Sequence, residues 1–244
     1  MDAKVDAIRA RIRDTPRLVI YLGAALSAEA DFDEDLDGSV DDSVVTNPPE
    51  EMATPDTFRR DPARLWRWYL WRRERIAKVQ SPQWVDALSA LHRRGRDLSV
   101  ITENVDGLLE GHGIDVIELH GSLWRTRCLG CNRIRLQATL YADALPPKCV
   151  HCMELIRPDV VLYGETLDSK AIERAMRWAC TAQTLLVVGT QGLVATSASM
   201  VSIAADNGAY VVDLDEEDAP LSGNDRVQVT LRGQCGPLLC ELLG

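Results

Sequence analysis

Residues Thr102–Cys131 read TENVDGLLEGHGIDVIELHGSLWRTRCLGC, and Cys149–Cys152 read CVHC. Polar amide and acid groups, a Leu-His-Gly turn and two Cys-x-x-Cys pairs follow one another here. The cysteines are the most specific of these on bond geometry. Cys128-x2-Cys131 and Cys149-x2-Cys152 have 17 residues between the pairs, the spacing of a four-thiolate zinc site built from two turns. Such a closed tetrahedral site is structural and leaves no position for water. A redox pair is the competing reading. A zinc deaminase site is excluded, because none of the four histidines has a Glu two residues later. Cys180, Cys235 and Cys240 read as buried core cysteines.

Outward from this run, 244 residues with 46 % apolar content suit one large domain or a domain with a smaller insertion. No stretch of eighteen apolar residues exists, so no membrane span is expected. The N-terminal MDAKVDAIRARIRD lacks a signal-peptide core, and paired cysteines suit a reducing compartment, so the expected localisation is cytoplasmic. The net charge of −10 is concentrated. Between Arg17 and Arg59 there is no Lys or Arg, while eleven acids run from Glu29 to Asp56; the remaining 27 basic and 26 acidic residues nearly balance. No basic stripe offsets phosphate charge, which argues against nucleic acid as a partner. The acidic run itself reads as a mobile, solvated loop.

Strand and helix signals alternate along the chain. A helix is predicted over residues 3–14, with Val5, Ile8 and Ile12 on one face. Arg17–Leu22 reads as a strand ending at Gly23, followed by a short helix near Ser27–Glu29. Asp61-Pro62 opens a helix to about Val79, and Ser81-Pro82 opens another, ending near Gly95. Leu98–Ile101, Val116–Leu119, Val160–Leu162, Thr184–Val188 and Tyr210–Leu214 read as strands buried on both faces. Helices over Ser169–Thr181 and Ala195–Asp206 separate the later ones. This order predicts an α/β fold with a doubly wound parallel sheet.

Ligands of such sheets sit at the carboxyl ends of the strands. Polar or small groups fall at those ends: Gly23-Ala24-Ala25, Thr102–Asp106, His120, Gly189-Thr190-Gln191-Gly192 and Asp213–Asp215. Small residues after a strand let a helix N-terminus approach a phosphate closely. Five such strand ends together point to a nucleotide crevice.

In order, LGAALSAEA, TENVDGLLEGHG, ELHG, the cysteine quartet, RPDVVLYGE and VVGTQGLVATSA resemble the motifs of the sirtuins, the NAD-dependent protein lysine deacylases. The resemblance covers nearly the whole chain. It implies a Rossmann-like domain over 1–31, 81–123 and 158–244. A helical insertion over 32–80 and a zinc-ribbon module over 124–157 would form a small domain, and an acyl-lysine protein or peptide would thread between the two. It implies NAD and a structural Zn2+ as cofactors, the ion held by Cys128, Cys131, Cys149 and Cys152. His120 would be the general base on the ribose hydroxyls, a role suited to an imidazole titrating near neutrality. Asn104 and Asp106 would orient the nicotinamide ribose and amide. Gly23, Ala24, Ala25, Glu29, Glu103, Gly189, Thr190, Gln191 and Asp215 would complete the cofactor contacts. Val161, Tyr163, Gly164 and Glu165 would hold the peptide backbone in a β-like pairing.

Tyr69-x-x-Arg72 matches the Tyr-x-x-Arg pattern of sirtuins that remove negatively charged acyl groups. An Arg fork can take a succinyl or malonyl carboxylate bidentately, and a Tyr hydroxyl adds a hydrogen bond. A spacing of three puts both on one helical face. The first loop departs from the family pattern: Leu22 stands for Thr, Ala25 for the second Gly, and the usual Phe and Arg are absent. Glu103 stands for Gln, Gln191 for Ser and Asp215 for Asn. Each carboxylate near the dinucleotide phosphates adds repulsion of about 1 kcal/mol in a solvated site. Two readings therefore stand: an active deacylase with a divergent cofactor loop, and a sirtuin-fold protein serving as a binding module or doing different chemistry.

Overall fold

Runs of Val, Ile and Leu form the central layer, because a strand covered on both faces needs apolar side chains at successive positions. The computed structural model describes residues 2–27, 49–136, 145–190, 195–216, 221 and 224–244. Helix α1 (Asp2–Asp14) leads into β1 (Arg17–Leu22) and a 3-10 turn at Ala24–Leu26. Next among the described residues come α2 (Pro49–Met52), α3 (Pro55–Arg60), α4 (Pro62–Ile76) and α5 (Gln83–Arg93). They are followed by β2 (Asp97–Thr102), β3 (Asp115–Glu118), β4 (Gly121–Cys128), β5 (Ile134–Leu136) and β6 (Ile156–Val160). The chain closes with α6 (Ser169–Thr181), β7 (Thr184–Val188), α7 (Ala195–Asp206), β8 (Tyr210–Asp215), β9 (Val229–Arg232) and α8 (Cys235–Leu243). Local chemistry starts the helices: Thr54 accepts from the Thr57 amide, Asp61 from Arg64, and Asp168 from Lys170 and Ala171.

Six parallel strands form one sheet in the order β3-β2-β1-β7-β8-β9. In β1, Leu18, Ile20 and Leu22 pack under α1, α5 and α8, while Val19 and Tyr21 pack against α6 and α7. The chain leaves β1 to one side through β2 and β3, then returns to its other side at β7. That reversal puts the switch point between β1 and β7, where open α/β sheets leave a crevice.

A second, antiparallel sheet has the order β5-β4-β6. Its residues share a third apolar cluster with α2–α4, and the Trp66 indole donates to the Ile156 carbonyl at 2.8 Å. The doubly wound α/β sheet with a smaller antiparallel ribbon agrees with the expected fold class.

Four expectations need correction. Val160–Leu162 is no strand of the parallel sheet; the strand is Ile156–Val160, paired antiparallel to β4, because chain leaving one cysteine turn must come back past the other. The last acids of the Glu29–Asp56 run are not loop: Glu50, Glu51 and Asp56 lie in α2 and α3, and Asp56 pairs with Arg59 and Arg60. Of the three single cysteines only Cys235 is buried; Cys180 is exposed and Cys240 half-buried. The helix expected near Ser27–Glu29 is the turn at Ala24–Leu26, and residues 28–48 lie outside the described ones.

Candidate active site

The crevice begins at Gly23. Its amide donates to the Val188 carbonyl at 2.8 Å, and a Cβ there would stand 2.4 Å from the Gly189 oxygen. Only glycine lets β1 and β7 end this close together. The Ala25 amide then donates to Gly189 O at 3.1 Å, and Thr190 lies buried alongside.

From β2, Thr102 turns the chain by accepting from the Asn104 amide at 3.0 Å, and Asn104 Nδ2 donates to Gly23 O at 3.0 Å. The side chain is thereby locked across the β1–β2 gap. Asp106 is buried, accepts from the Leu108 amide at 3.0 Å, and meets the Ser27 hydroxyl at 3.4 Å. Beneath it the Trp124 indole donates to the Asp106 carbonyl at 2.6 Å.

His120 follows β3. Its Nδ1 lies 3.0 Å from the Glu103 carbonyl oxygen. A carbonyl only accepts, so Nδ1 carries the proton and Nε2 keeps its lone pair. Burial pushes the imidazole below its ordinary value, with the carbonyl bond pulling the other way. Burial is the larger effect, so the ring is held neutral, with Nε2 able to accept a proton. Gly121 makes the turn possible with φ +82, where a Cβ would meet Asp159 O at 2.1 Å.

These groups open into a cleft of about 510 Å3, walled by Ala24, Glu103, Asn104 and His120 on one side and by Val161, Tyr163, Gly164 and Glu165 on another. Tyr69 and Arg72 reach the same cleft from α4. The Arg72 guanidinium stacks 4.5 Å over the Trp68 ring and 5.3 Å over Tyr69. Glu165 braces its own loop, taking two bonds from Arg157 at 2.6 and 2.8 Å and one from the Leu162 amide. The Val161 and Tyr163 amides are spent on His120 O and Ala53 O. Asp215 ends β8, buried two strands from β1 and apart from the cleft lining. Glu29 and Gln191 lie outside the described residues. Sequence reading missed Ser27, Ala53, Val105 and Leu167 as wall residues, and Tyr21, whose hydroxyl bonds Glu103. Ser27 sits within a quoted motif, but Ala53 and Leu167 come from distant segments with no local signal.

At the ribbon, the four Sγ atoms of Cys128, Cys131, Cys149 and Cys152 lie within 4.8 Å of one another. Cys128 and Cys152 stand 3.3 Å apart and Cys131 and Cys149 3.8 Å. A tetrahedral Zn2+ with bonds of about 2.3 Å needs sulfurs about 3.8 Å apart. The Cys131 amide also points at Cys128 Sγ, 3.5 Å away. The donor set fits zinc in a closed, structural site on the ribbon.

A parallel sheet with a crevice at its switch point, a half-buried, neutral histidine there and a four-thiolate ribbon beside it define a doubly wound, nucleotide-crevice protein of the zinc-ribbon type. The Sir2 family model matches residues 40–196. An "NAD-dependent protein deacylase" of Aquifex aeolicus is 40 % identical over 175 residues, 71 % of this chain and 73 % of that protein. "NAD-dependent protein deacylase 1" of Pseudomonas aeruginosa is 36 % identical over 241 residues, 93 % of each chain. A solved Sir2 homolog–NAD complex superposes with TM-score 0.85 at 33 % identity, covering 100 % of this chain and 92 % of the other. The chain belongs to the Sir2 family, the sirtuins.

Proposed function

We propose that the chain is an NAD-dependent protein lysine deacylase that favours acyl groups ending in a carboxylate, such as succinyl and malonyl. Its products are the freed lysine, nicotinamide and O-acyl-ADP-ribose. The observation that carries the acyl preference is that Tyr69 and Arg72 line the same cleft as Asn104 and His120. A planar cation and a phenol in the same cleft as a proton acceptor suit an acyl chain carrying a terminal anion. The small domain over 32–80 and 124–157 supplies Ala53, Tyr69 and Arg72, and the sheet domain over 1–31, 81–123 and 158–244 supplies Glu103, Asn104, His120 and the Val161–Glu165 segment.

NAD, when bound, supplies a ribose carbon with nicotinamide as leaving group for the acyl oxygen. Asn104, fixed on Gly23 O, and Asp106, fixed on Leu108 N and near Ser27, orient the nicotinamide side. His120 Nε2 accepts a ribose hydroxyl proton, its ring held by the Glu103 carbonyl. With the Val161 and Tyr163 amides spent inside the chain, pairing with an extended peptide falls to their carbonyl groups. Cys128, Cys131, Cys149 and Cys152 hold zinc away from the chemistry, as a clamp on the ribbon.

Nicotinamide release from NAD with succinyl-, malonyl- and acetyl-lysine peptides tests this. Turnover is expected on the first two, abolished by His120→Ala. Arg72→Met should cut succinyl kcat/KM by about tenfold to a hundredfold, from one charge-assisted hydrogen bond lost, and spare acetyl. Turnover on none of the peptides sinks the deacylase reading; equal loss on acetyl and succinyl sinks the acyl preference.

A further inference from the structure

Arg72 reaches the cleft on a long side chain, which loses rotamer freedom when a ligand fixes it. An aromatic corner one turn back on α4 holds it in place beforehand. Trp68 lies four residues before Arg72 and Tyr69 three, so both share its helical face. Both rings are buried, 4 % and 1 % exposed, and meet edge to face with centroids 4.8 Å apart and planes at 81°. The guanidinium carbon sits 4.5 Å over the Trp68 centroid and 5.3 Å over that of Tyr69. Two other cations of α4 lie farther out, Arg73 5.7 Å over Trp66 and Arg75 5.4 Å over Trp71, and neither lines the cleft. Trp68 does not line it either. Its ring packs in the apolar cluster shared with the ribbon, which holds it still.

On the reading that this cleft favours acyl chains ending in a carboxylate, we propose that Trp68 is the positioning residue behind that preference. Its indole face holds the Arg72 guanidinium by a cation–π contact, ready for the acyl carboxylate. A guanidinium held by its face keeps its in-plane N–H fork, the edge that takes a carboxylate bidentately. Trp is the strongest aromatic ring in this contact, and a buried ring keeps water off that side of the cation. Tyr69 serves twice, its ring flanking the cation and its hydroxyl facing the ligand. An acetyl group presents no anion, so the platform acts on succinyl and malonyl chains.

Steady-state kinetics of the full-length protein on succinyl- and acetyl-lysine peptides test the idea. Trp68→Leu should lower the succinyl-to-acetyl ratio of kcat/KM by about tenfold, mostly through succinyl KM, the size of a desolvated cation–π contact. Trp68→Phe keeps a ring face and should lower the ratio by only about twofold. A mere packing defect would lower turnover on both peptides together and leave the ratio where it was. In an Arg72→Met background neither change at Trp68 should move the ratio, because the two residues act as one unit. Should Trp68→Leu not fold, Trp68→Phe read alone and with Arg72→Met decides. A ratio that ignores Trp68, or that falls equally with and without Arg72→Met, overturns the proposal. The two readings fail separately. A ratio indifferent to Arg72→Met removes the acyl preference and this assignment with it. A ratio that falls in Arg72→Met but not in the Trp68 variants removes this assignment alone.

Discussion

At the residue scale, His120 and Gly121 are set by opposite constraints, one of charge and one of space. Burial holds the folded imidazole below its ordinary value of 6.5, so the native state binds fewer protons than the unfolded chain. The stability carried by the neutral ring is therefore present above that value and lost as pH falls through it. His120→Asn should flatten the fall in Tm between pH 7 and pH 5; an unchanged slope would show that other groups carry it. Gly121 has φ +82 and no room for a methyl against Asp159 O. Gly121→Ala should cost at least about 2 kcal/mol in denaturant unfolding, because both the backbone conformation and the Gly121–Val160 pairing must shift. Since that turn also aims His120, turnover should fall further than stability alone explains.

At the scale of elements, α4 connects the acyl end of the cleft to the ribbon. It buries Leu65, Trp66 and Tyr69 against Leu123, Ile156 and Val160, and the Trp66 indole closes on the Ile156 carbonyl. Trp66→Phe keeps most of the apolar area but leaves that buried carbonyl unpaired. A loss of about 1–3 kcal/mol is expected, read by chemical denaturation. The same change should raise KM for acylated peptide more than KM for NAD, because Tyr69 and Arg72 move with α4 while Gly23 and Asn104 do not. Equal effects on the two constants would mean that α4 does not position the acyl end.

At the scale of the whole molecule, the cleft lies where the four-thiolate ribbon and its helices meet the parallel sheet. The parallel sheet has its own two apolar clusters, one on each face, whereas the ribbon shares its single cluster with α2–α4. Below about 40 residues a module rarely holds itself together without a staple such as a metal. Cys131→Ser should reduce bound zinc, measured by atomic absorption, from about one per chain to near zero. Peptide binding should go with it, while the far-ultraviolet signal of the sheet domain largely remains. Full zinc content in that variant would overturn the four-thiolate assignment. Among the described residues, no helix is long and apolar enough to cross a membrane.

The sequence by itself determined five of the six strands of the parallel sheet, all but β9, together with the cysteine quartet and the polar strand ends. Each is written in a short stretch: apolar runs of one strand's length, paired cysteines with two residues between them in a turn, a glycine just past a strand. Tertiary structure alone decided which of those ends meet. Gly23 touches Gly189 and Asn104 reaches Gly23 only because β1 lies between β2 and β7, and strand order is a property of crossovers rather than of any segment. The antiparallel strand Ile156–Val160 was hidden because it reads Ile-Arg-Pro-Asp-Val, while the apolar run that suggests a strand is the adjoining Val160–Leu162. Tyr21 lies within the apolar strand Arg17–Leu22, and only pairing of β1 with β2 shows its hydroxyl on Glu103. Tyr69-x-x-Arg72 was legible as a pattern, but its arrival beside His120 depends on packing of α4 against the ribbon. Local chemistry is carried by neighbours in the chain; a cleft is made of residues that only the buried apolar clusters bring together.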